Sequence, residues 1–485
     1  MTLTDLVAPF LVALDFGLKL YAIGTVPENR RPSSSTAWLL LILMVPLVGF
    51  PLYWIIGSPY VRGRRQRLQL EANRVIAERA ASVPTPARLA DVPIDLASVA
   101  LLNQRLTGLP CVAGTSVCLH DDPKETLAAM TQAVRDAKKW VYVEFYIMAW
   151  DHVTDPFFRA LADAVARGVT VRLLLDHLGS RRYEGWKRFQ RRLTHAGIDW
   201  HLMMPLSLFR GQVRRPDLRN HRKLLLVDGE VGFIGSHNII EPSYGSGLPN
   251  GSGRRIWHDL TVRVEGDILA EIAAVFATDW LMETNTPLPV DEIVALEATG
   301  TGADLMQIVP SGPGFTTEPN LRMFTTLINV ADVKVSITSP YFVPDESLLS
   351  AITTAAYRGI EVELFVSEQA DQFLVGHAQR SYYDALLEAG VRIYLYPAPA
   401  VLHAKYLTID DNIAAIGSSN MDFRSFALDY EITLVSYGGA LLDLLQANDA
   451  RYRAVSRVLT REEWQRLPWP QRYLDNVCRL TAALM

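Results

Sequence analysis

The sequence predicts an α/β protein made of two similar α/β domains forming a pseudo-twofold pair, preceded by an N-terminal transmembrane helical hairpin. Three observations predict it. A strand–helix–strand pattern occurs twice, a set of polar residues recurs at equal offsets in both copies, and apolar residues gather in two stretches at the N-terminus. The 485 residues are enough for two or three ordinary cores. Hydrophobic residues make up 49% and the mean hydropathy is +0.11, high for a soluble chain and in keeping with membrane segments in a partly globular protein. Ten Trp, 18 Tyr and 17 Phe exclude global disorder. A formal charge of −5 argues against a general nucleic-acid binder, which needs a basic domain. Three cysteines without a CxxC pattern give no disulfide framework and no zinc site, and fit a reducing compartment.

The first element is the hairpin, residues 1–62, with membrane helices expected over about 6–26 and 37–56. Each is near the 20 residues that a helix needs to cross the hydrocarbon core. The second stretch carries no charge, and its Pro46, Gly49 and Pro51 predict a kink. The first holds Asp15 and Lys19, which at i and i+4 can neutralise each other or meet headgroups or another subunit. The start MTLTDLVAPF has no basic region, so a cleaved signal peptide is not expected. The turn between the stretches has two Arg and one Glu, whereas Arg62, Arg64, Arg65 and Arg67 follow the second. The two stretches give a multi-pass membrane protein, and counting positive charge puts its large C-terminal part in the cytoplasm with the short turn outside.

Residues 63–95 read as a polar, Arg-rich exposed helix running into a linker with Pro84 and Pro86. A domain over 96–298 and another over 299–485 follow. In the first, a strand at 138–148, a helix at 156–168 and a strand at 169–176 make a βαβ unit with parallel strands. The second repeats it at 333–343, 345–359 and 360–367. Both add a helix ending in Gly and another strand, at 188–203 and 381–396.

The repeat extends to the chemistry. From His221 and His403 as origins, Lys223 and Lys405 stand at +2, Asp228 and Asp410 at +7, Ser236 and Ser418 at +15, and Asn238 and Asn420 at +17. His and Lys two apart on a strand share a face, and the strand after the turn brings Ser and Asn back beside them. No carboxylate cluster or Cys/His set has metal spacing, so no metal and no other cofactor is expected. The cations and donors suit a phosphate. Two such half-sites facing each other surround a phosphodiester, one His attacking phosphorus while the other protonates the departing alkoxide. Asp228 and Asp410 are expected to hold an imidazole tautomer.

H-x-K-x4-D twice, each followed by G-S-x-N, resembles the phospholipase D superfamily, and within it the bacterial cardiolipin synthases. The likeness runs through VEFYIM, RNHRKLLLVDG, the pair Trp257 and Asp259, FATDW, VPSGPG, SPYFVPD, HAKYLTID and GSSNMDFRS. One departure is Gly-Ser where many relatives have Gly-Gly in the first motif. The resemblance implies two phospholipase D-like domains that transfer a phosphatidyl group between two phosphatidylglycerol molecules, giving cardiolipin and glycerol at a membrane bilayer. By carry-over, His221 is the nucleophile and His403 the acid and then the base. Lys223, Lys405, Asn238 and Asn420 hold the non-bridging oxygens. The family needs no metal.

The eight other histidines lack matched partners and read as surface or satisfied core residues. Glu144 and Tyr146 share a strand face and suit either site lining or packing, and Arg219 and Asn220 either packing or headgroup contact. Asp422, Arg424 and Glu431 read as ion pairs bracing the site. Residues 181–223 hold 12 Lys or Arg against three acids, a face suited to anionic lipid, with Leu206, Leu208 and Phe209 placed to dip into headgroups. Competing readings are a membrane phospholipase D using water, a transferase using another alcohol, a nuclease-like phosphodiesterase and a non-catalytic lipid scaffold. The acidic balance opposes the nuclease, and the complete motifs oppose the scaffold.

Overall fold

Runs such as Val141–Phe145 and Leu173–Leu175 can be buried on both faces only within a sheet covered by helices, and that is how the chain folds. The computed structural model describes residues 3–28, 32–57, 63–80, 83, 89, 92–207, 212–213, 215–245, 255–289 and 302–480. The first half supplies β1 (Val112–His120), β2 (Trp140–Phe145), β3 (Thr170–Asp176), β4 (Asp199–Met203), β5 (Lys223–Val227), β6 (Val231–Gly235) and β7 (Thr261–Glu265). The second supplies β8 (Asp304–Ser311), β9 (Lys334–Thr338), β10 (Glu361–Ser367), β11 (Arg392–Tyr396), β12 (Tyr406–Ile409), β13 (Ile413–Gly417) and β14 (Asp429–Tyr437), with β15 (Arg457–Leu459) at the edge.

Their order is β4-β3-β2-β5-β6-β7-β1-β8-β14-β13-β12-β9-β10-β11-β15. Every first-half strand has its counterpart seven numbers later, so the pseudo-twofold falls between β1 and β8. These run antiparallel, with Val112, Ala113 and Gly114 opposite Met306, Leu305 and Asp304. Gly114 permits the approach, because a Cβ there would stand 2.6 Å from the Met306 sulfur. The parallel pairs β2·β3, β3·β4, β9·β10 and β10·β11 are those the duplicated βαβ pattern predicts. The expected strand over 333–343 is interrupted: β9 ends at Thr338, and Phe342–Val343 pairs separately with Met421–Asp422.

Helices Pro123–Asp136, Asp155–Ala166 and Trp186–His195 cover one face of the first half, around Phe157, Phe158 and Leu193. Pro319–Asn329, Glu346–Tyr357 and Tyr383–Ala389 do so in the second. On the opposite face, Ile268–Thr284 and Ala440–Val455 close an interior common to both halves, in which Tyr142, Leu224 and Phe276 join Phe365, Tyr406 and Leu441. The halves therefore share a core. The boundary expected at residue 96 is crossed by packing, since Leu96, Val99 and Ala100 of helix Ile94–Thr107 lie in the second-half core.

Two N-terminal expectations change. The stretch 37–56 is divided into helices Pro32–Met44 and Pro46–Ile56, after helix Leu3–Thr25. Pro46 lacks an N–H and excludes Val45 from the helical region, and Val45 takes φ −137° and ψ 69°. Among the described residues no helix is long and apolar enough to cross a membrane, so the multi-pass expectation is not supported. Asp15 and Lys19 do pair, at 2.8 Å. The expected exposed linker helix, Arg64–Ala80, is docked: Arg65 is buried against Glu283 and donates to the Tyr430 hydroxyl at 3.1 Å. Leu208 and Phe209 of the expected headgroup-dipping stretch lie outside the described residues.

Candidate functional site

Both motif histidines sit just before a strand, and each is held by the other half. Arg219–Asn220 pairs with Asp429–Tyr430, and Val401–Leu402 with Trp257–His258. The His221 amide donates to the Tyr430 carbonyl at 2.9 Å and the His403 amide to the His258 carbonyl at 2.7 Å. The acids next along those segments meet the imidazoles. His403 Nδ1 is 2.5 Å from Asp259, and His221 Nδ1 is 3.3 Å from Glu431 and 3.5 Å from Asp429. With both Nδ1 atoms engaged, each Nε2 is the nitrogen left for chemistry. Tyr146 packs on His221 at 4.2 Å between ring centroids and Trp257 on His403 at 4.9 Å.

Lys223 and Lys405 are buried, and each ammonium donates to the carbonyl of its own motif histidine. An ammonium has three donors, so others remain for an anion. The two half-sites form one electrostatic unit. Burial lowers the His221 pKa to about 3, with Asp429 opposing and Lys223, Arg424 and Lys405 adding to the fall. Burial likewise lowers His403 to about 4 against the pull of Asp259. Lys405 falls to about 7 through burial, opposed by Asp259 and reinforced by Lys223. Burial works against charge on Asp259, yet His403 and its neighbours hold that carboxyl well below the ordinary range. Glu431 is raised to about 7 by burial, more than Lys223 and Ser418 draw it down. One imidazole thus faces an ionised carboxylate. The other faces a carboxyl that burial makes harder to ionise, with Asp429 paired to Arg424 at 3.1 Å.

Asp228 and Asp410 are not at the imidazoles. Each ends the strand that its motif begins, about five residues or roughly 17 Å along. Both adopt positive φ, 54° and 49°, and each carboxylate accepts three backbone N–H groups. Asp228 takes those of Lys138, Lys139 and Trp140 at 2.7–2.9 Å. Asp410 takes those of Asp332, Val333 and Lys334 at 2.6–2.9 Å. Their work is to hold the start of β2 and β9. The serines also brace the sheet: Ser236 accepts from the Leu260 amide and Ser418 from the Ile432 amide, both at 3.0 Å. Asn238 accepts from the Ile147 amide and donates to Tyr244. Asn420 keeps a buried Oδ1 with no hydrogen-bond partner among the described residues.

Glu144 and Asn220 are joined and buried, and Arg222 is paired with Asp279, so this cluster supports the His221 segment. Arg219 pairs with Asp176 and Arg192 with Asp155, which removes part of the basic face expected over 181–223. Arg424 pairs with Asp429 as the bracing reading expects, but Glu431 turns to His221 and Ser418 instead. The carboxylates that orient the imidazoles escape spacing analysis because the intervals differ. Ser236 meets Leu260 24 residues on, whereas Ser418 meets Ile432 after 14. The fold also assembles a cluster that no local spacing shows: His221, Asp429 and Glu431 offer three donor atoms within 4.8 Å. Arg424 pairs with Asp429, Ser418 donates to one oxygen of Glu431, and Lys223 supplies countercharge beside it.

Two α/β halves about a pseudo-twofold, with a buried Lys and a largely buried His from each converging on one site, define a phospholipase D-like protein. A family profile described as "Cardiolipin synthase, PLD-like domain" matches residues 130–280 and 324–450, and one described as "Phospholipase_D-nuclease N-terminal" matches 18–58. The chain is 32% identical to cardiolipin synthase A of Proteus mirabilis, over 94% of each chain. It is 30% identical to the cardiolipin synthase of Halalkalibacterium halodurans, over 99% of this chain and 94% of that one. The phosphatidylserine synthase of Haemophilus influenzae shares the fold at 17% identity and a TM-score of 0.57, covering 80% of this chain and all of that one. The chain belongs to the cardiolipin synthase family.

Proposed function

We propose that the protein is a cardiolipin synthase acting on phosphatidylglycerol, with His221 as nucleophile and His403 as acid and base. The observation that carries the assignment of roles is the unequal pair of carboxylates. Burial holds both imidazoles neutral in the free site, and ionised Asp259 at 2.5 Å makes His403 the easier of the two to protonate as the anionic phosphodiester enters, whereas Glu431, which burial makes harder to ionise, gives His221 less such support. His221 Nε2 attacks phosphorus, the bond from phosphorus to the glycerol oxygen breaks, and His403 gives that oxygen its proton. The hydroxyl of a second phosphatidylglycerol then returns a proton to His403 and attacks phosphorus. The P–N bond breaks, cardiolipin leaves and His221 is restored. Lys223, Lys405 and the Asn238 and Asn420 carboxamides hold the non-bridging oxygens, while Asp228, Asp410, Ser236 and Ser418 keep the strands that carry them in place.

Phospholipid at a bilayer is the partner this chemistry requires. The acidic net charge of −5 disfavours nucleic acid, and Arg64, Arg65 and Arg67 beside the apolar N-terminus favour catalytic halves on the cytoplasmic side of the cell membrane. The domain scheme fitting this reading is a membrane segment to residue 62, a connector over 63–95 and halves over 96–298 and 299–485. Incubating purified protein in detergent with labelled phosphatidylglycerol and a chelator tests the reaction. Cardiolipin and glycerol are expected. Phosphatidic acid as the main product overturns the reading in favour of water as acceptor.

A further inference from the structure

We infer that residues 32–56 form a re-entrant wedge seated in one leaflet of the bilayer, so that both ends of the wedge and the catalytic halves lie on one side of the membrane. This rests on the membrane reading above and replaces a crossing by a loop back. Helices Pro32–Met44 and Pro46–Ile56 have 13 and 11 residues, about 20 and 17 Å at 1.5 Å per residue, against roughly 30 Å of hydrocarbon. The second folds onto the first instead of continuing it. Gly49 lies so close to the Leu41–Ile42 backbone that a Cβ there would stand 2.9 Å from Ile42 Cα. A continuous helix holds positions seven apart at about 10 Å.

The surface this leaves bare is apolar from the bend to the base. Met44 and Leu47, on either side of Val45, are each 79% exposed, and Trp54 is 81% exposed. The inner side is satisfied: Trp38 and Ile42 pack with Ala22 and Val26 of the preceding helix, and Trp38 meets Tyr53 edge-on at 5.6 Å. An apex of this kind matches the acyl chains of a single leaflet. Charge agrees. Residues 32–56 carry none, whereas Arg30 and Arg31 precede them and Arg62, Arg64, Arg65 and Arg67 follow. A crossing sends these two basic groups to opposite faces, but a wedge keeps both on the anionic, positive-rich side.

The base of the wedge is fastened to the site. Arg215 donates to the Ile56 carbonyl at 2.8 Å and pairs with Asp217. The Asp217 carbonyl accepts from Arg424 at 2.7 Å, and Arg424 holds Asp429 beside His221. This chain of contacts sets the imidazoles near headgroup depth.

The substitutions Ser34→Cys, Met44→Cys and Glu71→Cys, made one at a time in the full chain, test the wedge. Right-side-out and inverted vesicles from cells making each variant are treated with a membrane-impermeant maleimide, and the unsubstituted chain gives the background from its own three cysteines. Ser34→Cys and Glu71→Cys are expected to react from the same face only. Met44→Cys is expected to stay unreactive from both, and a fluorophore placed there in detergent and reconstituted is quenched by brominated lipid. Reaction of Ser34→Cys and Glu71→Cys from opposite faces, or of Met44→Cys from either face, overturns the wedge. Turnover of phosphatidylglycerol by the same variants is scored separately, so a failed wedge is distinguishable from a failed assignment of activity.

Discussion

His403 Nδ1 and Asp259 Oδ1 meet at 2.5 Å although 144 positions and the boundary between the halves separate them. The reciprocal contact runs the other way, from Glu431 and Asp429 of the second half to His221 of the first. Each imidazole is therefore oriented by the opposite half. Neither motif is complete alone, which is a stronger dependence than two motifs merely facing one substrate.

Asp259→Asn follows directly. The amide keeps an acceptor for Nδ1 but loses the charge that supports an imidazolium, so turnover is expected to fall by about 10²–10⁴. Circular dichroism and the thermal midpoint should change little. Turnover within threefold of the parent would show that His403 needs no counter-charge.

Asp228→Asn and Asp410→Asn give the opposite pattern. Each carboxylate secures three backbone N–H groups at a strand start, and Asn tolerates the positive φ while retaining one acceptor. Stability is expected to drop by roughly 1–3 kcal/mol, read as a lower thermal midpoint, with kcat per folded molecule nearly kept. A thousandfold loss of kcat at an unchanged midpoint would return these aspartates to the chemistry.

That contrast shows what could be read from residues alone. β3 and β10 are legible because a continuous apolar run after an amphipathic helix has few other uses. The motif is legible because its polar identities keep equal offsets over a hairpin whose length did not drift. The acids are hidden because the loop before Asp259 is ten residues longer than that before Glu431, so a repeat search in register passes over them. The aspartate of the motif misleads for a geometric reason: seven residues along the chain look near, yet an extended strand carries them to the far end of the sheet. The division at Val45 is half legible, since Pro46 announces a bend but not a fold back.

The depressed Lys405 predicts a pH effect with a definite sign. In the free enzyme its ammonium is charged below about 7 and neutral above, because burial outweighs the pull of Asp259. Affinity for a phosphodiester anion needs that charge, so kcat/KM should decline on the alkaline side with a midpoint near 7. The bound anion stabilises the ammonium, and kcat should therefore hold to higher pH. Initial rates from pH 5.5 to 9.5 at limiting and saturating phosphatidylglycerol separate the two. A kcat/KM that stays flat through pH 9 contradicts the role of Lys405.

The two histidines are separable by leaving group. A nitrophenyl phosphodiester with a phosphatidyl-like tail expels an anion that needs no protonation, so His403→Ala should still give a burst of nitrophenolate as His221 is phosphorylated. Its second step should then stall, because no base remains to activate the acceptor hydroxyl, and acid-labile phosphohistidine should accumulate to about one per chain. His221→Ala should give neither burst nor adduct with any leaving group. The asymmetry of the carboxylates requires this order: ionised Asp259 makes His403 the easier imidazole to protonate when the anionic substrate is bound, while Arg424 and the raised Glu431 keep His221 free to attack. A burst from His221→Ala with an adduct on His403 would reverse the roles while leaving the shared site intact.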